Sequence, residues 1–289
     1  MSSYDIIMMG HVSRDIMIYL DQEQRFTAGP VVYSSASASS TGAKILVVTK
    51  AAKEDWKDIQ YIKGANIDLT IIDSPSSTSI ENIYLSEDRE KRKVTLLSQA
   101  DPFSEKEIPE QKTKIYHLAG LFRGEIPESL ILPLAAKGAV GIDAQGLLRC
   151  SENGKLLFRD WENKEKYLPY ITYLKTDAAE AEILTGTEDR ERGAKMLAEM
   201  GAKEVMVTHN TEVIVLVEGK TYRAPFNPSN LSGRTGRGDT CFASYMARRL
   251  THGPEEAVRY AAALTSMKME KPGRFTGTMN DVIERMKTL

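Results

Sequence analysis

Cysteine is nearly absent from this chain of 289 residues. Cys150 and Cys241 stand far apart and make neither a metal-ligand spacing nor a disulfide framework, so a reducing cytoplasm is the expected compartment. Histidine is also sparse. His11, His117, His209 and His252 are dispersed, form no His-Glu-x-x-His pair, and read as structural. Excess charge is missing too: 38 basic against 40 acidic residues give a formal net charge of -2. That balance offers no general attraction to nucleic acid or an anionic membrane, so any anion binding must be local. No apolar run reaches the ~18 residues of a membrane helix. The opening MSSYDIIMMGHVSRD meets an acidic residue too early for a signal peptide. The Gly-x-x-x-x-Gly-Lys-[Ser/Thr] loop is absent, which excludes a P-loop kinase. The first strand leads into GHVSRD rather than Gly-x-Gly-x-x-Gly, which argues against a dinucleotide-dependent oxidoreductase. There is no internal repeat, low-complexity segment or obvious linker, and a single domain over residues 1–289 is expected.

The chain does have enough apolar residues for a sizeable core, at 42%. An apolar run at 6–9, stopped by Gly10, predicts a buried strand, and residues 44–50 (KILVVTK) and 67–73 predict two more. The small-residue segment 31–41 predicts a helix packed closely on a sheet. From residue 114 onward strand and helix patterns alternate, with helices expected near 164–171, 177–184, 190–200, 239–250, 255–269 and 280–286. This implies an α/β fold, a mostly parallel sheet with helices on both faces. Residues 79–98 differ: IENIYL and VTLLS flank the charged stretch SEDREKRK, which predicts a hairpin inserted beside the main sheet as a lid with a solvated tip. Its apolar face needs cover, from its own domain or from a second copy in a homodimer.

Residues 232–243 read SGRTGRGDTCFA. Gly236, Arg237 and Gly238 precede Asp239, which is expected to open a helix. Glycines let the backbone approach a ligand, and the first helical amides lack internal partners at the positive end of the dipole. That is an anion hole for a phosphate, beside which a carboxylate can take a proton from an attacking hydroxyl. The plain alternative is a glycine turn with Asp239 as N-cap. Cys241, just inside this helix, reads as a small buried residue.

TGRGDTCFA resembles the C-terminal signature of the ribokinase-like, or PfkB, carbohydrate kinases, and the resemblance runs in order along nearly the whole chain. Residues 10–15 (GHVSRD) resemble the family's first strand followed by a substrate-binding Asp, here Asp15. Ala28 and Gly29 occupy the place of its paired glycines. Residues 177–180 (DAAE) resemble an Asn-x-x-Glu motif that organises Mg²⁺, which places Asp177 and Glu180 near the metal, through water. Thr208 and the strand at 213–215 resemble the nucleotide-side strand pair, and residues 261–273 the helix and loop that border adenine, ending at Gly273. GHVSRD, TSIENIY, ADPF, DAQG, RDW, KEKYL and RTGRGDT resemble most a subgroup assigned as inositol kinases. The departures are Ala28 for glycine, Tyr33 for the usual Asn, Gly233 and Arg234 where an Asp often begins the motif, Arg237 for a small residue, and Asp177 for Asn.

The resemblance implies an ATP-dependent phosphotransferase acting on a hydroxyl of a sugar or cyclic polyol such as myo-inositol, with Asp239 as base and Mg²⁺ as cofactor. A non-catalytic sugar or nucleotide sensor and a nucleoside kinase are the alternatives. Asp15 suits vicinal hydroxyls of a neutral ring, or is a surface turn. Asp177 and Glu180, three apart, face one side of a helix start and serve Mg²⁺ or the dipole. Arg234 or Arg237 is expected to touch phosphate. Gln145 lies at the carboxyl edge of the sheet, where ligands bind, and reaches phosphate or shapes a turn.

Overall fold

The computed structural model describes residues 3–20, 22–85 and 92–289. In chain order its strands are β1 (Tyr4–Met9), β2 (Ser13–Tyr19), β3 (Gln22–Ala28), β4 (Ile45–Ala51), β5 (Ile67–Asp73), β6 (Thr78–Tyr84), β7 (Arg92–Ser98), β8 (Thr113–Leu118), β9 (Ala139–Asp143), β10 (Arg149–Glu152), β11 (Lys155–Phe158), β12 (Tyr173–Asp177), β13 (Glu204–Thr208), β14 (Glu212–Val217) and β15 (Lys220–Pro225). A nine-stranded sheet runs β15-β14-β13-β12-β9-β8-β1-β4-β5. Its pairings are parallel from β5 to β13, and β14 and β15 add an antiparallel edge.

Contiguous apolar strands signal a sheet covered on both faces. In β1, Ile6 and Met8 point into one core and Ile7 and Met9 into the other, all four at 0% exposure. The first core packs the helices Pro30–Ser39, Arg237–Arg249 and Pro254–Met269, and the second packs Ile131–Ala135, Ala178–Thr185 and Arg190–Glu199. The chain winds outward from β1 through β4 to β5, then restarts at β8 on the other side and winds through β9 and β12 to β13. The reversal between β1 and β8 is a switch point, beyond whose carboxyl edge a crevice opens. The helix expected at 164–171 is one turn, Lys164–Tyr167, continued by a 3₁₀ turn, Leu168–Tyr170, where Pro169 cannot extend an α-helix.

A second, six-stranded sheet runs β10-β11-β7-β6-β2-β3. The segments expected at 79–98 are its antiparallel pair β6 and β7; the tip at 86–91 lies outside the described residues. The lid is larger than that hairpin, because β2–β3 and β10–β11 also belong to it. Asp15 therefore lies within the second strand rather than in a turn after the first. Strand β3 (QEQRFTA) has few apolar residues because it is an edge with one face toward water.

Candidate active site

The two sheets enclose a cleft of about 1510 Å³. At its floor starts the helix Arg237–Arg249. Its cap, Gly236, has φ 79° and no side-chain capping bond. A Cβ there would lie 2.3 Å from the ring of Tyr33, so the left-handed backbone and the ring both require glycine. The Arg237 amide closes a turn on the Arg234 carbonyl at 3.2 Å. Helix geometry leaves the amides of Gly238 and Asp239 without intrahelical acceptors, at the positive end of the dipole. Asp239 is the third residue of the helix, not its cap. Its carboxylate is thus not consumed by capping.

Beside this helix start stands a buried cluster. Lys175, at the centre of β12, places Nζ 3.0 Å from Asp143 at the end of β9 and 3.5 Å from Oε2 of Glu180. Burial opposes the ammonium, but the surrounding carboxylates of Asp143, Glu180, Asp177 and Asp239 raise its pKa well above the ordinary lysine value. Burial likewise pushes Asp143, Glu180 and Asp239 up, and Lys175 pulls each of them down. One buried cation cannot neutralise all of these carboxylates, so the upward direction prevails for them and Lys175 stays charged. Lys268, on the helix Pro254–Met269, approaches from the other side. Its Nζ donates to the carbonyls of Gly233 (2.5 Å) and Thr235 and lies 5.1 Å from the centre of the Tyr33 ring. Burial brings its pKa down to about 8, against the pull of Asp239.

The roof is the inner face of the lid. Strand alternation puts Ser13, Asp15 and Met17 of β2 on the cleft, opposite Ala28, Phe26 and Gln24 of β3 and beside Ile80 and Asn82 of β6. Asp15 and Asn82 are each only 9% exposed. Polar groups buried among Met17, Phe26, Ile80 and Leu121 suit a neutral ring with hydroxyls at its edge and apolar faces.

All the residues singled out in the sequence line this one cleft: Asp239, Gly236, Arg237 and Gly238; Asp15, Ala28 and Gly29; Arg234, Thr208, Gln145 and Gly273; Asp177 and Glu180. Their engagements differ. Arg237 directs its guanidinium to Asn210 at 2.9 Å. The Gln145 amide donates to Oδ1 of Asp143 at 3.1 Å, so its backbone shapes the turn while the residue still borders the cleft. Thr208 donates to the Thr176 carbonyl at 3.4 Å. Asp177 and Glu180 form a reciprocal capping box, with Asp177 N to Glu180 Oε2 at 2.7 Å and Glu180 N to Asp177 Oδ1 at 2.8 Å. Cys241 is fully buried, and burial pushes its thiol up to about 12, away from reactivity. Lys175, Lys268, Asp143, Arg149, Asn82 and Tyr33 also line the cleft and were not assigned roles from the sequence. Lys175 falls in the strand YLKTD, two residues before DAAE, where nothing in the sequence marks it as buried.

A carboxylate at a glycine-rich helix start, under a β lid and at the edge of a parallel sheet, defines a ribokinase-like small-molecule kinase. The chain belongs to the pfkB family of carbohydrate kinases, which it matches over residues 34–279. It is an enzyme of that class, a phosphotransferase with a sugar or polyol hydroxyl as acceptor. A solved pyrophosphate-dependent kinase of the ribokinase family, complexed with a pyrophosphate analog and myo-inositol, is 38% identical. It superposes with a TM-score of 0.89, covering 96% of this chain and 99% of that one. A pyrophosphate-dependent myo-inositol-1 kinase converted into a myo-inositol-3 kinase is 37% identical, with a TM-score of 0.88 and 98% of both chains covered. The cytidine kinase of Thermococcus kodakarensis is 24% identical over 295 residues, covering 95% of this chain and 99% of the relative. Arabidopsis thaliana ribokinase, 17% identical with a TM-score of 0.76 and 99% of both chains covered, shares the fold.

Proposed function

We propose that this enzyme transfers a phosphoryl group from pyrophosphate to a hydroxyl of myo-inositol or a closely similar cyclic polyol. The observation that carries the reading is the placement of Asp239. It stands at the anion-hole helix in a cleft lined by the polar lid residues Asp15 and Asn82 and, around the helix start, by the cations Arg234, Arg237, Lys175 and Lys268. The two solved relatives near 38% identity, both pyrophosphate-dependent and one holding myo-inositol, support the same pairing of donor and acceptor.

The donor end supports pyrophosphate in a second way. Residues 226–235 lie down on the end of the helix Pro254–Met269. The Gly233 amide donates to the Met269 carbonyl (2.8 Å), Ser232 Oγ to the Glu270 carbonyl (2.8 Å), and the Ser229 amide to the Glu270 carboxylate (2.8 Å). A Cβ on Gly233 would meet the Lys271 carbonyl oxygen at 1.9 Å. Residues 229–233 thus cover the end of the helix that resembles an adenine border, and the lining beside it is cationic rather than a flat apolar slot. ATP remains the second reading, because Pro272 and Gly273 of that border still line the cleft.

In the reaction Asp239 accepts the proton of the acceptor hydroxyl as its oxygen attacks the terminal phosphorus. The bond from that phosphorus to the bridging oxygen breaks, inorganic phosphate leaves, and the amides of Gly238 and Asp239 take the charge gathering on the transferred group. Mg²⁺ fits this site indirectly. Glu180 is buried and its Oε2 is held by the Asp177 amide and Lys175, so Asp177, facing the cleft, is the carboxylate to hold a hydrated ion through water. When bound, the ion supplies charge neutralisation to the donor phosphates. Two free cysteines fit a reducing cytoplasm. Leu97 and Phe158, exposed on the lid sheet, fit pairing of two copies there, which sedimentation velocity would reveal.

The deciding experiment incubates the purified protein with pyrophosphate or ATP and, in turn, myo-inositol, ribose, fructose, fructose phosphate and cytidine. Phosphorylated product is measured directly. Turnover with pyrophosphate and myo-inositol is expected. Turnover only with a nucleoside, or only with a phosphosugar, would overturn the acceptor. Turnover with ATP alone would overturn the donor.

A further inference from the structure

Glycine at position 238 is not required by the backbone. The residue lies within the helix Arg237–Arg249 and does not have a positive φ. Among the described residues, a Cβ built there meets one neighbour within 4 Å: Lys175, at 3.1 Å from both Cε and Nζ. Lys175 is held in that place. It is 5% exposed, and its ammonium is bonded to Asp143 at 3.0 Å and Glu180 at 3.5 Å. A full positive charge therefore stands beside the Cα of Gly238, in the space that a side chain there would take. The helix end alone offers about half an elementary charge. The ammonium beside it acts where water is largely excluded, which strengthens its effect on charge developing nearby.

We propose that Lys175 is a positioning residue of the phosphoryl-transfer centre. Its ammonium occupies the space beside Gly238 that any side chain would take, and it fixes both the place and the positive potential of the anion hole. The inference rests on reading this helix start as the anion hole, but not on which donor or acceptor is used.

Lys175→Ala and Gly238→Ala test it as a double-mutant cycle. Lys175→Ala should lower kcat about 100-fold, the scale of losing one oxyanion-stabilising group, with the acceptor KM nearly unchanged. Gly238→Ala should lower kcat about 10-fold, because the new methyl shifts the ammonium or the amide by tenths of an ångström. The double variant should be no worse than Lys175→Ala, since the methyl then meets an empty space. Full additivity would show that the methyl obstructs the phosphate itself and would overturn the proposal, as would an undiminished kcat in either single variant. Should Lys175→Ala fail to fold, Lys175→Leu, which removes the charge and is shorter than lysine, takes its place in the cycle. For Gly238→Ala, a smaller thermal shift with pyrophosphate at unchanged unliganded Tm supports the proposal, and a wild-type shift overturns it. If the wild type turns over with ATP rather than pyrophosphate, the cycle and the thermal shift are read with ATP, so a wrong donor does not disable the test.

Discussion

At Asp239, the proposed base, two demands compete. A base must be ionised to take a proton, yet its surroundings disfavour the charge, and Lys175 and Lys268 only partly offset that. The raised pKa brings the carboxylate closer to the acidity at which it both accepts and releases protons, as general base catalysis requires. Asp239→Asn should lower kcat by roughly 10²–10⁴-fold while donor binding, measured calorimetrically, changes little. A variant keeping more than about a tenth of wild-type kcat would remove Asp239 from the role of base. The same shift has a sign for stability. A carboxylate whose folded pKa is raised stabilises the fold below its unfolded pKa and loses that contribution as pH rises through the folded value. At neutral pH the buried Asp239 carboxyl is therefore a burden to the fold, and Asp239→Asn should unfold at an equal or higher temperature than wild type. A markedly lower Tm at pH 7 would mean that the carboxylate is structurally needed. Asp239 was legible because its motif is local. Lys175 and Lys268 were not: a lysine reads as a surface residue until strands β9 and β12 and residues 233–235 close around it.

Among the elements, the lid shows how a short pattern is misjudged. Strands β6 and β7 were visible from two apolar runs around a charged one, whereas β2 and β3 were not. Of their inward residues, Ser13, Asp15, Gln24 and Ala28 are polar or small, beside Met17 and Phe26, because this face borders the cleft rather than a core. Binary patterning assumes that an inward face is apolar, and a substrate roof violates that assumption. Asp15→Ala should consequently raise the acceptor KM by roughly 10–100-fold, the loss of charge-assisted hydrogen bonds, with the donor KM unchanged. Equal effects on both substrates would place Asp15 outside the acceptor pocket. The junction that carries the lid is polar and fully buried. The Glu125 carboxylate accepts from the amides of His11 (2.6 Å), Leu121 (2.9 Å) and Phe122 (3.3 Å). The His11 ring in turn lies 3.0 Å from Thr78 Oγ1 at the start of β6 and 3.1 Å from the Asp101 carbonyl. Glu125→Ala strands buried amides and should cost about 3 kcal/mol or more in urea unfolding. A loss under about 1 kcal/mol would show that the node relaxes around the gap.

For the whole molecule, the parallel order and the helices on both faces were readable because periodicity is a property of each segment. The crevice was not, because it exists only where the connections after β1 and β8 leave in opposite directions and the second sheet covers the gap. In the proposed reaction that arrangement has donor and acceptor reach Asp239 from opposite ends of one cleft: the donor over the helix start, the acceptor under the lid. Water is the competing acceptor, far more abundant than any polyol and small enough to reach the same phosphorus. What stands against it is the lid. Without a polyol to fill the space between Asp15, Asn82 and the helix start, the roof has no ligand to close upon, and Asp239 has no fixed hydroxyl from which to take a proton. Transfer should therefore depend on the acceptor being held in place, through proximity and the exclusion of water together. Donor hydrolysis in the absence of polyol should run at less than about 1% of the transfer rate, since a well-oriented attacking group gains far more than a hundredfold over an unplaced one. Phosphate release with and without saturating acceptor measures this directly. Hydrolysis approaching the transfer rate would mean that the lid does not discriminate, and that the six-stranded sheet serves some purpose other than keeping water from the phosphoryl group.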